Sequence, residues 1–282
     1  MRKRLSALFG LCLLSWTPPV WAHEFWISPE AYVVAPGSSI SAAFRVGENL
    51  KGSAYSYIDR NAAQLRAVWD GGDAPISARM GDRPAIKELA APVSDGLVVL
   101  VHETTDSTLT YREWEKFQNF AKHKDFPDAI ARHLARGLPE TGFKESYRRF
   151  AKALIAVGDG AGADRVTGLE TEIVALTNPY TGPLDDGMRV RVLYQGDVRP
   201  DAQVELFEKA PDGTVTVALY RTDEQGEVVF PVQAGHEYLV DAVVLRDTGN
   251  DDLEAGAVWH RFGHPSPLPC RADVCAAPCR AG

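Results

Sequence analysis

The chain has 282 residues, a formal net charge of −8 at pH 7 and a hydrophobic fraction of 45%. This length suits one large domain or two small ones, and the apolar content can supply ordinary hydrophobic cores. The negative charge argues against nucleic acid and anionic lipid as partners, because both repel an acidic protein, whereas it is compatible with the binding of cations.

The first 22 residues have the three parts of a secretory signal peptide. The basic segment MRKR is followed by the apolar stretch LSALFGLCLLSW, and Val20 and Ala22 occupy the −3 and −1 positions of a cleavage site. No later apolar stretch approaches the ~20 residues that are needed to cross a bilayer. We therefore expect a mature chain that begins at His23, has no transmembrane segment and is exported to a Gram-negative periplasm.

Cleavage after Ala22 would make His23 the N-terminal residue. A terminal histidine can chelate one metal ion through its α-amine and its imidazole Nδ1, which no internal residue can do. Both groups can lose a proton to a transition metal at neutral pH, and nitrogen ligands suit Ni²⁺, Co²⁺ and Cu²⁺. Histidine can also follow a cleavage site by chance, so the sequence leaves both interpretations open.

The segment from residue 30 to residue 105 is predicted to be mostly β-structure. Strands at residues 31–34 and 39–46 flank a Pro-Gly turn, and a strand at residues 65–69 is followed by the turn sequence DGGD. The continuous apolar run GLVVLVH at residues 96–102 is typical of a buried strand. This pattern predicts a β-sandwich.

Residues 111–157 are predicted to be a helical insertion in this first domain. Trp114, Phe117 and Phe120 recur at helical spacing, Pro127 can begin a second helix and Gly137 can end it. A third helix is predicted over residues 144–157, because its apolar side chains recur at intervals of three and four residues.

Residues 188–246 return to alternating β-strands. Short strands at about 188–194, 204–208, 215–220, 228–230 and 238–245 are separated by turn sequences such as PDG and TDEQG. The order of turn and apolar positions is similar to that of prealbumin-like domains. The predicted fold is therefore mainly β, with two β-sandwich-like domains at residues 23–180 and 188–246 and a C-terminal segment at residues 247–282.

Three segments together resemble one family of periplasmic proteins. They are HEFWISP at residues 23–29, YRRFAKAL at residues 147–154, and GLETEIV at residues 168–174 with the TNPY that follows it. The family is the domain of unknown function family 4198, some members of which are described as periplasmic components of cobalt or nickel uptake systems. The resemblance extends to about residue 246 and implies the compartment and the fold, whereas the sequence after residue 246 departs from the family pattern.

Four further histidines are candidate metal ligands beside His23. His102 ends the strand at residues 96–102, near a sandwich rim that the N-terminus can reach, and His236 lies in a predicted turn. His260 and His264 have i, i+4 spacing, but Gly263 and Pro265 argue against a helix there, which leaves a loop site. Each of these histidines has an alternative interpretation as a solvated or hydrogen-bonded residue without a metal.

Three cysteines, Cys270, Cys275 and Cys279, follow the leader near the end of the chain. An oxidising compartment favours a disulfide between two of them. A soft-metal site shared with His260 and His264 is the alternative.

The sequence therefore predicts a periplasmic protein that binds Ni²⁺, Co²⁺ or Cu²⁺ and passes the ion to an inner-membrane metal transporter. One alternative is a non-catalytic binding or adhesion module for a protein or glycan, in which His23 is incidental. A copper-dependent oxidative enzyme is a more distant alternative, suggested by the terminal histidine alone. The sequence contains no G-x-S-x-G, P-loop or dinucleotide-binding motif, and we do not predict an enzyme.

Overall fold

Residues 24–270 are described by a computed structural model, with side chains described as far as Pro267. The strands up to residue 157 are β1 (Glu24–Pro29), β2 (Val33–Val34), β3 (Ser39–Glu48), β4 (Lys51–Tyr55), β5 (Ala62–Trp69), β6 (Gly72–Pro75), β7 (Ile86–Ala90), β8 (Gly96–Thr104), β9 (Ser107–Thr110) and β10 (Lys144–Val157). The later strands are β11 (Thr171–Ala175), β12 (Met188–Tyr194), β13 (Asp197–Val198), β14 (Gln203–Lys209), β15 (Val215–Arg221), β16 (Glu227–Phe230), β17 (His236–Asp247) and β18 (Trp259–Cys270). Helices α1 (Trp114–His123) and α2 (Pro127–Ala135) lie between β9 and β10. The prediction of a mainly β, sandwich-like fold is confirmed.

A ten-stranded sheet forms the centre of the molecule. Its main order is β15-β14-β17-β18-β10-β8-β5-β6, and β2 and β9 also pair with β10. One four-stranded sheet contains β1, β3, β4 and β7, and another contains β11, β12, β13 and β16. Each smaller sheet packs against one face of the large sheet, which gives two hydrophobic cores.

Strand β10 contributes to both cores. Phe150 and Leu154 point into the core under β11 and β12, whereas Ala151, Ala153 and Ile155 point into the core under β1 and β3. Because neighbouring side chains of a strand point to opposite faces, a strand covered on both faces must be apolar at almost every position.

The prediction of a helix at residues 144–157 is therefore wrong, because these residues form the strand β10. Its second half, FAKALIAV at residues 150–157, is apolar at every position except Lys152, so it fits the apolar spacing of a helix and also a strand that is buried on both faces. The two other predicted helices are confirmed as α1 and α2. They pack on a third cluster that includes Phe117, Phe143 and Trp259.

The large sheet contains strands from both predicted domains. Strands β5, β8 and β10 come from residues 23–180, β14 and β17 come from residues 188–246, and β18 comes from the C-terminal segment. In the parallel β10–β18 ladder, Tyr147 lies opposite Arg261. The predicted domain boundary at about residue 180 stays a prediction. Strands from both sides of this boundary belong to the same large sheet. Among residues 24–270, no helix has the length and apolarity that a bilayer-spanning segment requires.

A buried ionic cluster connects β10 to β11. Lys152 Nζ lies 2.8 Å from Asp164 Oδ1 and 3.1 Å from Glu172 Oε1, and all three side chains are buried. Glu172 also accepts hydrogen bonds from the backbone N–H groups of Thr167 and Gly168. The charge of Lys152 is thus fully compensated inside an apolar core, which holds the loop before β11 against the large sheet.

We predict that Lys152→Ala strongly destabilises the fold. Removing the ammonium leaves two buried carboxylates without a counter-charge, an effect that costs about 3–5 kcal/mol in the free energy of unfolding. Urea unfolding of the variant and the wild type measures this difference. Lys209→Ala is the matched control, because it breaks an ion pair with Glu237 that is exposed to solvent, and we expect it to cost less than about 1 kcal/mol. An equal effect of both substitutions would contradict the role of burial.

Candidate functional site

His102 lies in the core between the large sheet and the β1–β3 sheet. Its side chain is 3% exposed, its Nδ1 lies 2.8 Å from the carbonyl oxygen of Gln64, and its ring stacks on Phe44 at 4.3 Å between centroids. Burial lowers the pKa of His102 to about 4, so the ring is neutral at pH 7. The carbonyl contact assigns the proton to Nδ1, which leaves Nε2 as the nitrogen with a lone pair.

The other predicted ligands within residues 24–270 lie on the opposite face of the large sheet. His264 is fully buried, and neither of its ring nitrogens has a hydrogen-bond partner of good geometry in the described part of the chain. Burial and the charge of Lys152 hold the pKa of His264 well below its usual value, and the backbone of Thr171 opposes them. His236 contacts Glu208 through Nδ1 at 2.8 Å, and His260 packs edge-on against Phe262.

These histidines do not converge. His260 and His264 are four residues apart on β18, which separates them by about 13 Å along the strand. His236 pairs with the end of β18, a further six residues along that strand from His264. Among residues 24–270, no group of three or more His, Cys, Asp and Glu side chains could hold a metal ion. The predicted loop at His260 and His264 is the strand β18.

His23, Cys275 and Cys279 lie outside the described residues, as does the side chain of Cys270. The predictions of an N-terminal chelate, of a disulfide and of a cysteine metal site therefore stay predictions. Glu24, the residue joined to His23, is the first residue of β1 and is described.

Glu24 lies beside a group of charged side chains that we call the β1-start cluster: Glu24, His123, Lys124, Glu205 and Asp241. Lys124 Nζ donates hydrogen bonds to Glu205 Oε2 at 2.7 Å and to Asp241 Oδ2 at 2.9 Å. His123 Nε2 lies 3.2 Å from Glu205 Oε1. A small cleft of about 40 Å³ opens beside Glu24, Lys124 and Asp241.

The strand register explains why this cluster needs Lys124. Glu205 on β14 and Asp241 on β17 are directly opposite each other in the antiparallel ladder. Two carboxylates in such a pair repel each other, and the ammonium of Lys124, at the end of α1, offsets that repulsion. The carboxylates in turn raise the pKa of Lys124 despite its burial, so the ammonium stays charged.

Among residues 24–270, Glu24 forms no ion pair, whereas Glu205 and Asp241 both pair with Lys124. Burial, with the negative charge of Asp241, raises the pKa of Glu24 to about 8. Its Oε2 accepts a long hydrogen bond, 3.2 Å, from the backbone N–H of Asn49. At neutral pH Glu24 is therefore mostly protonated, and a cation in the cleft would displace that proton.

Our sequence reasoning missed Lys124, Glu205 and Asp241. The signal for two of them was present, because Glu205 and Asp241 interrupt the otherwise apolar strand sequences VELF and YLVDAVVL. A charged residue at a core-facing strand position indicates a buried ion pair or a site. The partner Lys124, in contrast, has no signal of this kind, since it lies in a polar helix-end sequence far away in the chain.

A family model for a domain of unknown function, DUF4198, matches residues 20–246. The chain belongs to the DUF4198 family. The match includes β1, both helices and the strands that carry the β1-start cluster, and it ends before β18, the strand that lies between β10 and β17 in the large sheet. No protein among the curated sequences matches this chain.

Two solved structures show distant similarity to this DUF4198 protein. One is a tetra-tandem repeat in the extending region of a large adhesion protein, with 12% identity, a TM-score of 0.22, and coverage of 88% of this chain and 50% of that chain. The other is the D0-D1 domain of Intimin, with 12% identity, a TM-score of 0.18, and coverage of 87% of this chain and 97% of that chain. The chain thus spans half the length of the first structure, and neither score supports an inference about function.

We predict that Glu24 makes the stability of the metal-free protein fall as the pH rises. The pKa of a glutamate is near 4.5 in the unfolded chain and about 8 for Glu24 in the folded chain, so between these values the folded state binds a proton that the unfolded state has lost. The free energy of unfolding must then decrease from pH 5 to pH 8 and level off above that value.

Urea unfolding at pH 5.5, 7 and 8.5 tests this expectation when the wild type is compared with Glu24→Gln. The stability of the wild type relative to the glutamine variant should fall with each step. A difference that does not change with pH would show that Glu24 ionises normally.

Proposed function

We propose that this protein binds a divalent transition-metal ion, Ni²⁺, Co²⁺ or Cu²⁺, in the periplasm and passes it to an inner-membrane metal transporter. The proposed site is the start of β1, where the α-amine and the imidazole of a mature N-terminal His23 would chelate the ion. The observation that carries the proposal is the composition of the β1-start cluster next to residue 23.

The charges of that cluster fit a cation. When Glu24 is ionised, the carboxylates of Glu24, Glu205 and Asp241 outnumber the ammonium of Lys124 within the cluster. The guanidinium of Arg149, which lines the same cleft, offsets part of this negative charge. The cleft of about 40 Å³ has room for an ion with water, since one water needs roughly 10–15 Å³. The carboxylate of Glu24, which stabilises a nearby cation once its proton leaves, would support the nitrogen chelate of His23.

The remaining predicted ligands fit this site unequally. His102 is close to the proposed site, because Phe25 lines the cleft beside Glu24 and also contacts the His102 ring. His236, His260 and His264 belong to the opposite face of the large sheet and have no part in the proposed site.

We predict that His23→Ala weakens binding of the preferred ion by about 100-fold or more. The substitution removes an imidazole ligand, and even the loss of a residue that only hydrogen-bonds to a metal ligand costs about 10–100-fold in affinity. Protein exported in vivo is stripped of metal and titrated with Ni²⁺, Co²⁺ and Cu²⁺ by calorimetry. Intact mass is measured on each sample to establish that the chain begins at residue 23.

Glu24→Gln and His236→Ala complete this experiment. Glu24→Gln should weaken binding less than His23→Ala and should reduce the number of protons released per ion, which calorimetry in buffers of different ionisation enthalpy measures. His236→Ala is the control that keeps the site. Binding that is unchanged in His23→Ala, or an uncleaved leader, would overturn the proposal and favour a non-catalytic binding module.

A further inference from the structure

A second cavity of about 270 Å³ lies at the end of the core between the β1–β3 sheet and the large sheet. Its wall is mainly aromatic and consists of Phe25, Phe44, Tyr55, Tyr57, His102 and Tyr147. A cavity of roughly 150 Å³ lined by apolar side chains accepts benzene, so this one has room for an aromatic ring with a substituent. Aromatic walls of this kind prefer a flat apolar guest.

Arg149 provides the charge of this cavity. It lies on β10, on the same strand face as Tyr147, and its guanidinium packs over the Tyr147 ring at 4.9 Å and the Phe25 ring at 5.9 Å. Burial, together with the nearby charge of Arg261, lowers the pKa of Arg149, although a guanidinium stays protonated in a protein. The cavity therefore contains a half-buried positive charge.

Neighbouring arginines have carboxylate partners, and Arg149 differs from them. Arg148 pairs with Glu103 at 3.0 Å and Asp106 at 2.9 Å. Arg261 pairs with Glu145 at 2.9 Å. Among residues 24–270, the side chain of Arg149 has ring contacts but neither a carboxylate nor a hydrogen-bond acceptor. A guanidinium in that position has its donors available for an anion from outside the chain.

Among residues 24–270, no aspartate or glutamate lines this cavity. His102 is neutral there, and the hydroxyl of Tyr55 accepts a hydrogen bond from Asn61 Nδ2 at 3.1 Å. The positive charges of Arg149 and Arg261 also disfavour a cationic guest, although aromatic cages often bind cations. The cavity thus combines an aromatic wall with one guanidinium, that of Arg149, which can bind an anion.

We propose that this cavity binds a small aromatic carboxylate, with the ring between Phe44 and Tyr147 and the carboxylate on the guanidinium of Arg149. The guanidinium can donate two parallel hydrogen bonds to a carboxylate, which fixes the orientation of the guest. This cavity is distinct from the cleft beside Glu24, although Phe25, Tyr147 and Arg149 line both. The test uses the metal-free protein and does not depend on the proposed metal site.

The test uses benzoate and 2-naphthoate as probes, with benzamide and acetate as matched compounds that lack the charge or the ring. Binding to the metal-free protein is measured by calorimetry and by ligand-observed NMR. We expect both aromatic carboxylates to bind, and benzamide and acetate to bind more weakly than benzoate. Equal binding of acetate and benzoate, or no binding of either aromatic carboxylate to the folded protein, would overturn the proposal.

Substitutions of Arg149 locate the site. Arg149→Gln should weaken benzoate binding by about tenfold or more, the loss expected for a charge-assisted hydrogen bond, and should leave benzamide binding unchanged. Arg149→Lys should retain part of the affinity, because it keeps the charge and loses the fork.

Arg148→Gln is the control, since Arg148 lies on the opposite face of β10 and its partners are Glu103 and Asp106. Thermal unfolding of each variant verifies that it is folded. Benzoate affinity that is the same in Arg149→Gln and the wild type would show that the guanidinium does not hold the carboxylate.

Discussion

The pairing of β10 with its neighbours determines how the rest of the chain can fold. Strand β10 lies between β18 and β8, and its alternate side chains fill two different cores. One face must therefore match the β11–β12 sheet and the other the β1–β3 sheet. The ion cluster of Lys152 belongs to the first face, and Arg149 belongs to the second. A shift of β10 by one residue would place the ammonium in the wrong core and the guanidinium among apolar side chains, so the charges select one register.

The alternation of side chains between the two faces of the large sheet also determines where the β1-start cluster and the aromatic cavity lie. Strand β18 runs parallel to β10, and β17 pairs with β18 so that Asp241 lies opposite Pro265, on the face that β1 covers. Glu205 lies opposite Asp241, and the end of α1 supplies Lys124. Strands from the two predicted domains thus meet at the start of β1. A site of this kind depends on the large sheet, which contains strands from both predicted domains.

Much of the fold was predictable because its strands alternate or are bounded by clear turns, as at β3, β12 and β17. Strand β10 was not, since a strand buried on both faces has no alternation and satisfies a helical pattern equally well. The positions of the four described candidate histidines were not predictable for a related reason. Sequence spacing does not show which face of a sheet a residue occupies, and His102 and His264 lie on opposite faces of the large sheet. Charged residues within apolar strand sequences were the better signal, and that signal would have indicated Glu205 and Asp241, which the sequence analysis missed.

Opposite charges occupy adjacent parts of the region around Phe25. Glu24 and Asp241 of the β1-start cluster line the small cleft together with Phe25 and Arg149, and the Arg149 guanidinium lies 5.9 Å from the centroid of the Phe25 ring. An uncompensated guanidinium opposes a metal ion at Glu24, and an organic anion on Arg149 would remove that opposition. The coupling between a cation at Glu24 and an anion at Arg149 must then be favourable, and it must be reciprocal, because each ligand changes the affinity of the other by the same factor. The arrangement of charges fixes the sign of this coupling, whichever ion or carboxylate occupies each site.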